Sequence, residues 1–197
     1  METFERLCEN LFRRGFSPQC FDTGEAAAAY LESELSGFTI GFGGSETLRA
    51  LNLYERLGAH NRVLWHWRDE AERIPAFSAP VFITSANAVA ETGEIINIDA
   101  GGNRVAASCF GPQRLIYIIG INKLTPNLES AFRRARNVAA PRNCVRLNRK
   151  TPCVETPDQC WDCSSPDRLC KVMSIHFGRP LCIPRADVLL VNEMLGY

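Results

Sequence analysis

The cysteines are the residues whose type and spacing point most directly to chemistry. The chain has nine of them, and six fall in its last third, between Cys144 and Cys182. The charged N-terminal segment has no apolar stretch of signal-peptide length, so we expect a cytoplasmic, reducing location. In a reducing compartment, such a cluster favours a metal-binding or redox-active site over a disulfide framework.

Four of these cysteines form a symmetric pattern, Cys153-x6-Cys160-x2-Cys163-x6-Cys170. Four thiolates can complete a zinc site or hold an iron–sulfur cluster. Structural zinc usually takes two close cysteine pairs, and only one pair is close here, which favours an iron–sulfur cluster of the 4Fe–4S type. Zinc and free or redox-paired thiols remain the alternatives, and Cys144 or Cys182 could replace an outer ligand.

A basic stretch precedes these cysteines. Residues 133–150 contain seven arginines and lysines and no acidic residue. Nearby cations would favour a negatively charged cluster or another anion. The alternative is a solvent-exposed helix end whose cations complement the helix dipole.

A glycine-rich turn at residues 41–47 follows a predicted strand and precedes a predicted helix. Gly43 and Gly44 let the backbone approach a ligand, and the free N–H groups of a helix start favour an anion. Ser45 can cap the helix or donate to that anion. The turn lacks the lysine of a P-loop and the spacing of the dinucleotide fingerprint, so it indicates neither ATP nor NAD. Glu46 would repel a phosphate, which favours a carboxylate ligand or a purely structural turn.

Other polar residues also follow predicted strands, where open α/β sheets carry their sites. Glu91 is a candidate nucleophile or base, Arg104 a candidate clamp for a carboxylate, and Lys123 a cation at a further strand end. The alternative is that these side chains satisfy loop backbone or face solvent. We expect the strand ends to meet in one anion-binding cleft. The candidate ligand-binding residues are Gly43, Gly44, Ser45, Thr47, Asn87, Thr92, Gly93, Asn103, Arg104 and Lys123, with Glu91 as the candidate catalytic residue.

Composition excludes other classes of partner. The 22 basic and 22 acidic residues give a formal net charge of zero, which argues against nucleic-acid binding. The longest apolar run, residues 115–121, is far below the roughly 20 residues that span a bilayer. The sequence therefore favours a globular protein with a small-molecule site.

Strands that alternate with helices of moderate length predict an α/β fold with a mainly parallel sheet flanked by helices. Residues 142–186 lack a long periodic segment and are predicted to be a Cys-rich metal-binding insertion in a single domain spanning 1–197. Predicted helices cover residues 3–14, 23–35, 46–57 and 127–139, the last closed by Pro141. Predicted strands cover residues 38–42, 62–65, 81–84, 94–98, 114–119 and 187–193.

Several segments together resemble the LUD (lactate-utilisation) domain family, in its short stand-alone form with a C-terminal Cys-rich segment. They are IGFGGSETL, TSANAVAETGEIINIDAGGNRVAA, GINKLTPNLESAFRRARNVAAP and the C-terminal cysteine set. The resemblance covers residues 5–197. It implies a fold similar to the ribose-5-phosphate isomerase, glucosamine-6-phosphate deaminase and CoA-transferase superfamily, with the glycine turn at the ligand site. Residues 90–93 loosely resemble the CoA-transferase segment that carries a glutamate nucleophile.

The resemblance implies a protein that binds a small organic anion and a Cys-ligated metal centre and contributes to lactate or related organic-acid utilisation. One alternative is an acyl-, CoA- or phosphosugar-handling enzyme that uses Glu91. Another is a structural zinc protein that acts as a subunit or regulator. The resemblance also allows an iron–sulfur or redox partner subunit and a homo-oligomer.

Overall fold

The computed structural model describes residues 4–197, in which helices and strands alternate along most of the chain. No helix within this range is both long and apolar enough to cross a membrane. The helices are α1 (Glu5–Arg13), α2 (Gly24–Glu34), α3 (Glu46–Ala50), α4 (Leu53–Gly58), α5 (Arg73–Phe77), α6 (Asn103–Cys109), α7 (Leu128–Arg134) and α8 (Ala140–Arg146). The strands are β1 (Ser17–Phe21), β2 (Thr39–Phe42), β3 (Arg62–Leu64), β4 (Val81–Thr84), β5 (Ala88–Ala90), β6 (Ile95–Asp99), β7 (Arg114–Gly120), β8 (Leu124–Thr125), β9 (Val172–His176) and β10 (Arg185–Val191).

A six-stranded sheet with the order β1-β10-β7-β4-β2-β3 forms the centre of the molecule. All its neighbouring strands run parallel, which confirms the predicted α/β fold with a mainly parallel sheet. Both faces are covered, so the inner strands are nearly continuous apolar runs. After β3 the chain returns past β2 to form β4, and this reversal creates a topological switch point between β2 and β4. Sheets of this kind bind ligands outside the carboxyl ends of the strands at such a point.

A smaller sheet with the order β8-β5-β6-β9 packs beside the first. Its side chains alternate between two faces, as the strand period of two requires. Val89 and Ile95 pack into a core that includes Tyr117 of β7, whereas Ala88 and Ile96 pack into a second cluster with Ala131 of α7. This sheet therefore joins the central sheet to α7 and to the segment that follows it.

The helix after β8 continues beyond Pro141, where the sequence predicts its end. A π-helical turn at Ala135–Ala139 links α7 to α8, and Pro141 lies in the first turn of α8. Proline cannot donate a backbone N–H to the preceding turn, and a local widening of the helix accommodates that loss. Because most of α8 and all of β9 lie within it, the Cys-rich segment has two irregular parts, residues 147–171, with a 3-10 turn at Pro152–Val154, and residues 177–184.

His176 of β9 makes the stability of the protein sensitive to acid. Its ring is buried edge-on to Tyr117, and Nε2 lies 3.3 Å from the Ser108 hydroxyl. Burial lowers the pKa of His176 from 6.5 to about 4. Between these values the unfolded chain binds a proton that the folded protein does not, so stability falls as the pH falls.

We expect the natural protein to lose about 2–3 kcal/mol more stability than His176→Gln between pH 7 and pH 4. Urea unfolding at both pH values measures this difference. The exposed His60→Gln is the control and should retain the full pH dependence of the natural protein. Equal pH slopes in His176→Gln and the natural protein would contradict this account of His176.

Candidate functional site

A cleft of about 310 Å³ opens at the carboxyl edge of the central sheet, beside the switch point between β2 and β4. The segments that follow β2, β4, β7 and β10 all contribute to its walls. Its volume lies in the range of small-molecule sites. The predicted ligand-binding residues that line it are Gly44, Ser45, Thr47, Asn87, Asn103, Arg104 and Lys123.

The glycine turn after β2 is needed for the shape of this cleft. A Cβ atom on Gly43 would lie 2.8 Å from the Thr84 hydroxyl and 3.2 Å from Cγ of Arg104. A Cβ atom on Gly44 would lie 2.9 Å from the indole nitrogen of Trp67. Ser45 caps α3, because its hydroxyl accepts from the backbone N–H of Leu48 at 3.4 Å. The two glycines thus make room for the side chains of the cleft, and Ser45 has the capping role that the sequence allows.

Lys123 lies in the 3-10 turn that follows β7, and its side chain lines the cleft. Its Nζ donates to the hydroxyl of Thr47 at 2.9 Å and to that of Ser85 at 2.8 Å. Each hydroxyl donates its own hydrogen bond to a backbone carbonyl, Thr47 to that of Leu195 and Ser85 to that of Ile118. The amine is therefore held at one position by a buried polar network.

The position of Lys123 is electrostatically unfavourable for a charged ammonium group. The residue is only 3% exposed, and within residues 4–197 no carboxylate lies within ion-pair distance of it. Burial lowers the pKa of Lys123 well below 10.5, and the nearby charges of Arg134 and Arg104 lower it further. A buried amine of this kind becomes neutral or acquires an anionic partner.

Arg104 lies in the first turn of α6 and holds two walls of the cleft together. Its guanidinium donates to the carbonyls of Gly44 and Ile98 and to Oδ1 of Asn87, and lies 3.6 Å from the carboxylate of Asp99. Its Nε is buried, with no hydrogen-bond partner among the described residues. Arg104 therefore offers one free N–H beside the cleft, while most of its other donors position the loops.

The structure places three predicted site residues, Glu91, Thr92 and Gly93, outside the cleft, which corrects the expectation that they share it. They form the tight turn between β5 and β6, and this turn points towards α1 rather than the carboxyl edge of the central sheet. The Glu91 carboxylate lies 3.6 Å from Arg6, and Gly93 has a positive φ of 98° beside Arg14. The catalytic role of Glu91 stays a prediction that this position does not favour.

Several residues of the cleft were not predicted from the sequence: His66, Trp67, Arg73, Ser85, Asn143 and Tyr197. Arg146 also lines it and belongs to the basic stretch 133–150, for which an anion-binding role was one of the two alternatives. Ser85 could have been found, because it follows β4 directly at the carboxyl edge. No spacing rule connects Trp67 with Arg146, whose guanidinium packs 4.7 Å over the indole ring. Arg146 also donates to the hydroxyl of Tyr197 at 2.8 Å. These contacts depend on α8, which the sequence analysis did not predict.

The Cys-rich segment lies against the same cleft, because Cys170 lines its wall. Cys144 is buried on α8, and burial raises the pKa of its thiol to about 11, with smaller effects from the neighbouring Cys153 and Cys170. Cys160 accepts from Arg136 at 3.1 Å. Cys163 is half-buried in the same irregular stretch. Across residues 4–197, no three His, Cys, Asp or Glu side chains are already arranged around a metal position.

Two further cysteines, Cys8 and Cys20, meet outside the lining of the cleft. The sulfur atoms of Cys8 in α1 and Cys20 in β1 lie 3.1 Å apart. Burial raises the pKa of Cys8 to about 12, so Cys8 is a thiol with little nucleophilic character at neutral pH. These cysteines belong to the packing of α1 and lie apart from the cleft.

Comparisons with known proteins agree with this architecture. The chain is similar to the crystal structure of a DUF162 family protein from Deinococcus radiodurans, with a TM-score of 0.55, 15% identity and 96% of each chain covered. At that identity the likeness shows the fold alone. No curated protein matches the chain. The sequence model of the LUD domain matches residues 4–191. The chain therefore belongs to the LUD domain family.

Proposed function

We propose that the cleft binds a small organic carboxylate of the lactate class and that the protein contributes to the utilisation of such acids. The observation that carries this proposal is the positive charge of Arg104 and Arg134 near the buried amine of Lys123, where no carboxylate among the described residues lies within ion-pair distance of that amine. A bound carboxylate would balance the charge of these arginines. The membership in the LUD domain family supports the same class of ligand.

The charge of the cleft also supports an anionic ligand. Its lining residues include five basic side chains and three acidic ones, and the acidic ones are paired with arginines of the protein. The acidic residues are Glu46, Glu70 and Asp99, and the basic ones are Arg73, Arg104, Lys123, Arg146 and Arg149. Besides Nε of Arg104, Nδ1 of His66 is buried without a partner among residues 4–197. Two polar atoms at the cleft thus lack the partners that buried groups normally have.

Arg104→Gln is the variant that tests this proposal. Loss of a buried, charge-assisted contact costs about 2–5 kcal/mol of binding, so affinity for L-lactate or pyruvate should fall by roughly 30-fold or more. Isothermal titration calorimetry with each acid measures the change, and circular dichroism checks that the variant is folded.

Arg133→Gln is the matched control, because it removes the same charge from an exposed position on α7 that does not line the cleft. It should bind as the natural protein does. Unchanged affinity in Arg104→Gln, or equal loss in both variants, would argue against binding in this cleft.

A second proposal is that Cys153, Cys160, Cys163 and Cys170 hold a metal centre, most consistent with an iron–sulfur cluster and alternatively with zinc. The donor set fits such a group, since thiolates bind both, and Cys144 supplies a further sulfur beside Cys153 and Cys170. The irregular stretch 147–171 contains a single short 3-10 turn and would gain order from a cross-link. A cluster would supply one-electron transfer beside the cleft, whereas zinc would supply only a structural cross-link.

Replacement of a ligand should remove the metal. We expect Cys160→Ser to lower the iron and sulfide content, or the zinc content, of anaerobically purified protein severalfold, and to loosen residues 147–171. Elemental analysis and the visible absorption spectrum distinguish the two metals. Cys109→Ser is the control, because Cys109 is exposed at the end of α6 and lies outside the Cys-rich segment. Full metal content in Cys160→Ser would show that the assignment is wrong.

A further inference from the structure

The hydrogen bonds around Lys123 determine how many N–H groups its amine can donate. The hydroxyl protons of Thr47 and Ser85 are both donated to backbone carbonyls, at 3.2 Å and 2.6 Å. Each hydroxyl oxygen can therefore only accept from Nζ of Lys123. The amine must donate two N–H groups, one to each hydroxyl.

A neutral amine has the number of N–H groups that these two hydrogen bonds require. An ammonium group has three N–H donors. Lys123 is 3% exposed, and its third N–H would have no acceptor within the described chain. A neutral amine has two N–H donors and one lone pair. With both N–H groups directed to the hydroxyls, the lone pair is left free, and Lys123 lines the cleft. An unprotonated amine held in this way is a nucleophile.

We propose that Lys123 forms an imine with the carbonyl carbon of a 2-oxo acid, a reaction that rests on the proposed binding of small organic carboxylates in the same cleft. The charge of Arg104 would favour the carboxylate, and the adjacent carbonyl carbon would face Nζ of Lys123. Lys123 is only 3% exposed, so little bulk water reaches Nζ to hydrolyse the imine.

The step balances without an additional reactant. The lone pair of Nζ forms a bond to the carbonyl carbon, and the carbonyl π electrons move to its oxygen. That oxygen takes both protons of the amine and leaves as water, and a carbon–nitrogen double bond forms. Before attack, the hydroxyls of Thr47 and Ser85 hold the amine in place. A 2-hydroxy acid such as lactate has no carbonyl at this carbon, so it binds without reacting.

Reductive trapping tests the proposal. The natural protein is incubated with pyruvate and sodium cyanoborohydride near pH 7 and analysed by intact-protein and peptide mass spectrometry. We expect one adduct per chain, heavier by pyruvic acid less one oxygen atom, and located at Lys123. The chain has only three lysines, and Lys150 and Lys171 are exposed, so they report unselective labelling within the same sample.

Three further results separate the imine from binding alone. Lactate should compete with trapping and give no adduct itself. Lys123→Arg should lose the adduct completely, whereas Lys171→Arg should keep it. Calorimetric binding of pyruvate without an adduct at Lys123, or equal labelling of all three lysines, would overturn the imine and leave the proposed function intact. Absence of binding by both acids would overturn the proposed function as well.

Discussion

Lys123→Met is expected to be more stable than the natural protein at pH 7 and to lose this advantage as the pH rises towards 10.5. Burial lowers the pKa of Lys123 in the folded protein, whereas the unfolded chain keeps the ordinary value of 10.5. Between these values the unfolded chain binds more protons, so the stability of the natural protein rises with pH. Methionine does not titrate, and each unit of pKa shift that it removes is worth about 1.4 kcal/mol.

The surroundings of Lys123 allow this gain. Methionine has similar length, and the hydroxyls of Thr47 and Ser85 keep their bonds to backbone carbonyls when the amine is removed. Urea unfolding at pH 7 and pH 9.5 measures the effect, with the exposed Lys171→Met as control. A stability difference that does not change with pH would contradict the assigned state of Lys123. The same variant should lose pyruvate trapping, so stability and function are opposed at this residue.

Asp187→Ala is expected to destabilise the fold by about 3–5 kcal/mol, because it leaves the largely buried Arg114 with only the more exposed Glu34, 3.4 Å away, as an ion-pair partner. Asp187 is fully buried in β10, between β1 and β7. Its carboxylate accepts from Nε of Arg114 at 2.6 Å and from Nε of Arg185 at 2.9 Å. Arg114 is itself largely buried, so removal of the carboxylate leaves its charge poorly solvated.

Chemical denaturation at neutral pH tests this expectation. Asp158→Ala is the matched control, because its carboxylate pairs with Arg142 on the surface, and we expect a change within about 0.5 kcal/mol. Addition of Arg114→Met to Asp187→Ala should restore part of the lost stability, since it removes the stranded charge. A small effect of Asp187→Ala alone would show that Arg114 finds water or another partner.

The central sheet could be predicted because its inner strands carry a strong local signal. The segment 114–119 is almost wholly apolar and is flanked by polar turns, so its prediction agrees with β7 within one residue. Strand β1 was not predicted, since its sequence SPQCF contains Pro18 and does not alternate. It is held as an edge strand by its pairing with β10, which a local pattern does not reveal. The short strands β5, β8 and β9 likewise depend on partners distant in sequence.

In the candidate site, too, some residues could be predicted from the sequence and others could not. Residues that directly follow a parallel strand, such as Ser45 and Lys123, could be placed at one edge because all carboxyl ends of a parallel sheet lie together. Glu91 was expected at the same edge because it follows the predicted strand 81–84. The unpredicted strand β5 of the smaller sheet lies between that strand and Glu91, and it carries Glu91 to a different turn. The state of the Lys123 amine could not be predicted, because it depends on hydroxyls that the fold brings from positions 47 and 85.

The position of β10 has a consequence for synthesis of the protein on the ribosome. This strand lies between β1 and β7, so Ser17 near the N-terminal end of the described chain pairs with Asp187. Strand β1 is therefore synthesised long before β10 and has no sheet partner until β10 has left the ribosome. During that interval β1 and β7 both present unpaired edges, which promote aggregation. Folding of the nascent chain should thus be completed late, and transient release of β10 from the finished protein would expose both edges at once.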